Sequence, residues 1–294
     1  MSEKTTAIIG AILAVFSWGV SFVATKIALQ YVSPTTVVWT RFAMGIVIIG
    51  IVVIIRGQFL IPSRKDIVYF ALVGFIGITF HQWLQSTGLQ TAQASTTSWI
   101  VATTPIFMVI VGWLFLRERL SLLQTLGIII AACGVILVVS KGALGSILNG
   151  QFGTIGDLLI LISSVNWAFF SMFSKRGLEK HPPNRMIFFV MLFGWMFTSI
   201  FFFSNRYFLE FRYVAIDGWI SLAFLGIFCS GFAYIFWYKA LKILPMSQTG
   251  AFVYLEPFIT LIVAAIVLQE LITIGALLGG AAILWGVWLV NQNR

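Results

Sequence analysis

One acidic residue of the chain lies where an acid is costly. Glu256 precedes Pro257 in the apolar run SQTGAFVYLEPFITLIVAAIVLQE, Ser247 to Glu270, and of nine acidic residues it is the only one near the middle of such a run. A helix rises about 1.5 Å per residue, so this position falls near the midplane of a roughly 30 Å hydrocarbon layer. A carboxylate there is expensive unless it is protonated, paired or facing water. Thr249 and Thr260, seven before and four after, extend a polar stripe on its helical face. Such a group can hold a proton or the cationic part of a solute. The plainer alternative is a protonated carboxyl that ties two helices together.

The same run occurs earlier in another form. An offset of 152 lays Ser95, Thr97, Val101, Pro105, Leu116, Glu118, Gly127 and Gly134 on Ser247, Thr249, Val253, Pro257, Leu268, Glu270, Gly279 and Gly286. Thr104 then stands opposite Glu256, so one wall of a shared cavity is expected to be acidic and the other merely polar. Pro105 and Pro257 each lack an amide hydrogen and clash with the carbonyl four residues back, that of Val101 or Val253. They are therefore expected hinges or kinks, either packing devices or parts of the site.

Further polar and aromatic groups gather on neighbouring turns: His81, Gln82, Gln85 and Ser86 in one segment, Tyr234, Trp237 and Tyr238 in its equivalent. Trp18 with Ser21 and Thr25, and Trp167 with Ser163, Asn166 and Ser171, make similar stripes. Aromatic walls with a few polar groups suit an organic solute better than a bare ion. The expected solute-binding set is Glu256, Trp18, Gln82, Gln85, Trp99, Thr104, Asn166, Trp167, Tyr234, Trp237 and Tyr254. For any one Trp or Tyr the alternative is lipid packing or interfacial anchoring, and His81 alone reads as a helix-to-helix hydrogen bond. Lys26, Arg41, Lys175 and Lys239 lie toward helix ends, where long side chains reach the interface. No basic partner is expected at the depth of Glu256.

The elements that carry these residues are apolar runs near 7–32, 35–55, 67–87, 95–116 and 122–140, then, after the Gly-rich break Lys141 to Gly153, near 154–176, 185–204, 217–239, 247–268 and 271–290. At the front of each half the offset is 149, with Ser17, Trp18, Lys26 and Pro34 facing Asn166, Trp167, Lys175 and Pro183. Five spans per copy is odd, so tandem copies, 1–141 and 154–294, enter the membrane from opposite sides. The fold class is all-α: ten transmembrane helices in two inverted five-helix repeats. With the N-terminus inside, 13 of the 18 Lys and Arg fall on the cytoplasmic side (Lys4, Arg56, Arg64, Lys65, Arg117, Arg119, Lys175, Arg176, Lys180, Arg185, Lys239, Lys242, Arg294), which predicts both termini there. The first apolar run continues to about Val32 without a convincing cleavage site, as a retained helix does.

Composition excludes other classes. At 60% hydrophobic and 9% charged, with 28 Phe and 11 Trp, the 294 residues do not suit a soluble domain. The net charge of +9 is dispersed singly and in pairs, not as the basic tract a nucleic acid needs. Cys133 and Cys229 sit in apolar runs without a CxxC or Cys/His cluster, so neither a disulfide nor a metal is expected, and no cofactor is implied. No GxxxxGK[ST] motif offers an ATP site. Glu118 and Glu270, at helix ends, are expected to cap the next helix's N-terminus. The small residues Gly275, Gly279, Ala282 and Gly286 permit close approach, either to the protein's own fifth helix or to a second copy in a homodimer.

The chain resembles the drug/metabolite transporter superfamily, in its EamA-type branch of ten-helix proteins. The residues that carry this are Ser17–Trp18–Gly19 followed by Lys26, Pro34 with Arg41, Pro105 with Glu118 and Gly127, and the second copy Pro257, Glu270, Gly279 and Gly286. The second half departs at Asn166–Trp167–Ala168 and at Val190, where the first has Arg41. The resemblance implies a central cavity lined by the first, third and fourth helices of each repeat, and a secondary transporter. It implies no particular substrate. The expectation is an exporter or exchanger of small organic metabolites, such as amino acids or related amphiphilic solutes, in the plasma membrane, with protons as a candidate coupling ion. The alternatives are a membrane-embedded enzyme, for which one Glu and one His supply too little, and a receptor or scaffold, for which an inverted duplication has no use.

Overall fold

The computed structural model describes residues 2–116, 121–142, 153–244, 249–250 and 252–291. Arg117, Glu118, Arg119, most of the Gly-rich break, Ser247 and Arg294 lie outside these. The described residues form ten apolar helical spans. They are α1 (Glu3–Ala28), α2 (Pro34–Ile55), α3 (Arg64–Gly88), α4 in two pieces (Ala94–Val101 and Thr104–Leu116), α5 (Leu122–Val139), α6 (Ile155–Leu178), α7 (Pro183–Ser204), α8 (Ile216–Ile243), α9 (Phe252–Val267) and α10 (Ile274–Asn291). Local sequence sets most starts. Pro34 and Pro183 occupy first-turn positions where a missing N–H costs nothing. Ser63 with Asp66, Ser121 with Gln124 and Thr154 with Asp157 form reciprocal capping boxes.

Both proline helices break where the chain lacks a donor. α4 leaves the helical path at Ala102–Thr103, just before Thr104–Pro105, and α9 begins as a 3₁₀ turn over Phe252–Leu255 before becoming α-helical at Glu256–Pro257. The third helix of each half holds an irregularity that apolar periodicity does not announce: π-helical turns over Phe75–Phe80 in α3 and Leu225–Phe232 in α8, equivalent at the 152 offset. A π turn takes a carbonyl out of the i→i−4 ladder and turns it toward a neighbour.

The two halves interlock through equivalent contacts. α1 packs on α8 and α9, while α6 packs on α3 and α4. At the ends, Lys26 Nζ donates to Ala92 O and its equivalent Lys175 donates to Leu241 O and Leu244 O, each cation closing the carboxyl end of a third helix. Gly45 lies against Ser230, and Gly194 against Ile78. α5 and α10 meet backbone to backbone: a Cβ on Gly134 would come within 2.6 Å of Gly279 O, one on Gly279 within 2.7 Å of Gly134 O, and one on Gly286 within 2.4 Å of Gly127 O. The small-residue face of α10 is thus occupied by the protein's own fifth helix.

Glu270 caps a helix in the other half. Its carboxylate accepts from Ala94 N, Ser95 N and Ser95 Oγ at 2.8, 3.0 and 2.6 Å, at the start of α4. The expectation of the next helix is corrected because α4 and α9 are brought together across the repeat boundary, as the Trp99 and Phe258 rings 5.9 Å apart also record. Around this core, large apolar side chains such as Ile54, Ile200, Phe203, Ile262 and Trp288 are exposed, as the lipid-facing surface of a multi-pass membrane protein requires.

Candidate functional site

Where the first, third and fourth helices of the two halves converge, they line a cavity of about 40 Å³. Four pairs of equivalent residues line it: Trp18 and Trp167, Gln82 and Tyr234, Val101 and Val253, Thr104 and Glu256. Ser21, Phe22, Arg41, His81, Gln85 and Ser164 complete the wall. That volume holds a few waters at most, against roughly 300–1,000 Å³ for a solute site. The helices leave little space between these side chains.

Glu256 reaches this cavity because the break at Pro257 sets the start of a new helix there. It is 3% exposed, and among the described residues its carboxyl has no hydrogen-bond or ion-pair partner. Its backbone is fixed instead. The Thr260 hydroxyl lies 2.8 Å from both Glu256 O and Gly19 O, joining α9 to α1. Gly19 permits that approach, since a Cβ would stand 3.2 Å from Glu256 O and 2.9 Å from the Ile259 side chain. The other half has a hydroxyl in place of the acid: Thr104 is 1% exposed, and among the described residues its Oγ1 is without a partner.

The aromatic part is braced by the π turns. Trp18 Nε1 donates to Cys229 O at 3.1 Å, within the π segment of α8, and the Cys229 thiol donates to Ser17 O. Across the pseudosymmetry, Asn166 Nδ2 donates to Ile76 O at 2.7 Å, within the π segment of α3. Trp18 meets Trp167 edge to face at 5.6 Å, Tyr234 at 5.6 Å and Trp237 at 5.0 Å. His81 Nδ1 lies 3.0 Å from Ser163 O, a bond from helix to helix.

Of the eleven expected lining residues, Glu256, Trp18, Gln82, Gln85, Thr104, Trp167 and Tyr234 are brought together, with Pro105 and Pro257 buried directly after Thr104 and Glu256. The other four stand outside the wall. Trp99 packs over Gly280, Asn166 is spent on Ile76 O, Trp237 lies beside Trp18, and Tyr254 packs against the cluster of Ala131, Ile283 and Val287. Trp99, Asn166 and Tyr254 are on expected helices but on other faces, because one residue turns a helix by about 100°, whereas Trp237 stands one turn from Tyr234, behind the Trp18 ring.

Arg41 corrects the sequence reading most. It lies two turns into α2, yet its side chain turns inward and is 2% exposed. Nε donates to Ser230 Oγ at 2.9 Å and Nη1 to Gln82 Oε1 at 3.0 Å, and Gln82 Nε2 lies 3.4 Å from Tyr234 OH. A second helix thus enters the wall, and the cavity holds a basic group as well as an acid. The sequence signal was the lone arginine in an otherwise apolar span.

The pattern that defines the EamA-like transporter family matches residues 5–140 and again residues 154–292. A protein of Archaeoglobus fulgidus described as an uncharacterized transporter is 28% identical over 286 residues, 96% of this chain and 97% of its own. A protein of Streptantibioticus cattleyicolor described as a probable terminal-alkyne amino-acid exporter is 24% identical over 291 residues, 99% of this chain and 95% of its own. A crystal structure of another protein superposes over the full length of both chains with a TM-score of 0.70 at 17% identity, a likeness of fold.

Proposed function

Because this chain belongs to the EamA-like transporter family, and so is a multi-pass membrane transporter, we propose that it exports or exchanges small organic metabolites across the plasma membrane. Amino acids or related amphiphilic solutes are the class, and protons are the coupling ion. The carrying observation is Glu256, a buried carboxyl without a partner among the described residues, at a helix break facing a cavity walled by Trp18, Trp167 and Tyr234. A membrane acid so placed is stabilised by a proton or by a solute cation, and exchanging one for the other links proton release to solute binding. The relative named as an amino-acid exporter supports the solute class.

The repeats, 1–141 and 154–294, act as opposed units. The ties of Lys26 to Ala92 and Glu270 to Ser95 close one end, and those of Lys175 to Leu241 and Leu244 close the equivalent end. Opening one while the other holds admits solute from one side only. The excess of basic residues on one side supports both termini in the cytoplasm. Reporter fusions after Ser33 and Lys141 then read outside and one after Gln292 reads inside; a cytoplasmic reading at Lys141 refutes the five-plus-five arrangement. Function is tested with purified protein in liposomes, screening amino acids, nucleosides, sugars and amines with and without a pH gradient. Uptake of none of them under either condition overturns the proposal.

A further inference from the structure

We infer that Arg41 is the anion-binding residue of the same cavity, so that the solute is a zwitterion held between the Arg41 guanidinium and the Glu256 carboxyl. The inference rests on the transporter reading above and narrows it. A guanidinium has five N–H donors, and among the described residues two of those of Arg41 are engaged, both with neutral oxygens of Ser230 and Gln82. Ser230 and Gln82 hold the fork in orientation without neutralising it. The Phe42 ring, 5.3 Å from the guanidinium carbon, packs beside it. Among the described residues no ion pair joins Arg41 to Glu256 or to any other acid.

The cavity therefore holds one buried cation and one acid that do not compensate each other. A solute carrying only an ammonium leaves the guanidinium unpaired, and one carrying only a carboxylate leaves Glu256 to a proton. A solute that carries both charges answers both groups at once. Arg matches a carboxylate with two parallel bonds, which a lysine cannot reproduce. The Thr104 hydroxyl, in the same wall as Glu256 and unpartnered among the described residues, offers a third polar contact.

The test compares solutes of one shape and different charge in liposomes holding the full-length protein. Leucine, 3-methylbutylamine and 4-methylpentanoate form one such trio; alanine, serine and phenylalanine head others. For the wild type, the zwitterion of at least one trio is expected to be taken up ~10-fold or more better than either singly charged analogue, as loss of one charge-assisted bond implies. Arg41→Gln then shifts the ratio of zwitterion to amine uptake toward the amine by ~10-fold or more, and Arg41→Lys shifts it by ~3-fold or more. If Arg41→Gln does not fold, the wild-type trios and Arg41→Lys decide. Wild-type protein that moves amine and zwitterion equally, or an unchanged ratio in the folded variant, overturns the role of Arg41 and leaves transport standing. Absence of uptake of any solute removes the transporter reading and this inference together.

Discussion

The two halves of the cavity are alike in scaffold and unlike in charge. Trp18 and Trp167, Val101 and Val253, the two π turns, the two broken fourth helices and the two lysines at third-helix ends occupy equivalent places. Charge breaks the correspondence: Arg41 faces Val190 at the 149 offset, and Thr104 faces Glu256 at 152. A duplicated scaffold can open at either end by the same movement, but a chemically symmetrical cavity has no preferred orientation for a dipolar solute. Placing the cation on one repeat and the acid on the other gives the solute a direction.

The largest test of that contrast is substitution at equivalent positions. Glu256→Gln keeps the shape and removes the charge, and is expected to lower proton-coupled transport by ~100-fold or more with normal expression and melting, whereas Thr104→Val costs about tenfold or less, the scale of one neutral hydrogen bond. Full transport by Glu256→Gln with unchanged pH dependence would return that residue to structural glue.

Next come the shared scaffold positions, where equal effects are expected. Gly134→Leu and Gly286→Leu each drive a side chain into the opposing backbone between α5 and α10, and each should cost ~1–3 kcal/mol or more in detergent unfolding. A large loss at one and none at the other would break the equivalence of the halves.

A smaller difference is expected where one scaffold bond is carried by different residues. Trp18→Phe orphans Cys229 O and Asn166→Leu orphans Ile76 O, so each should destabilise by ~1–2 kcal/mol, while Trp167→Phe costs less. Thermal melts of the three variants check the order; Trp167→Phe as the most damaging would show that the halves are not braced as described. Least in size, Lys26→Met and Lys175→Met are each expected to change the labelling of a cysteine placed at Ser164 by a few-fold, the scale of ~1 kcal/mol, and from opposite sides of the membrane. A shift in the same direction would mean that the two ends do not act as opposed closures.

What the sequence determined by itself is what repeats along one dimension. Runs of apolar residues gave ten spans, odd copies gave their opposition, and Pro105 and Pro257 gave the breaks, because each depends on distance along the chain or on a missing N–H. The position of Glu256 at one of these breaks was legible for the same reason. Only the tertiary structure decided which way each side chain faces. Inside a membrane protein the interior and the lipid are similarly apolar, so hydrophobicity does not mark the inward face as it does in water. Asn166 therefore turned aside to Ile76 O while its neighbour Trp167 lined the cavity with Trp18. Arg41 looked like a residue that would reach the interface, yet Ser230 and Gln82, far along the chain, drew it inward. Glu270 found its helix in the other repeat. The bonds of Arg41 to Ser230, Asn166 to Ile76 and Glu270 to Ser95 join segments that meet only once the two halves interlock.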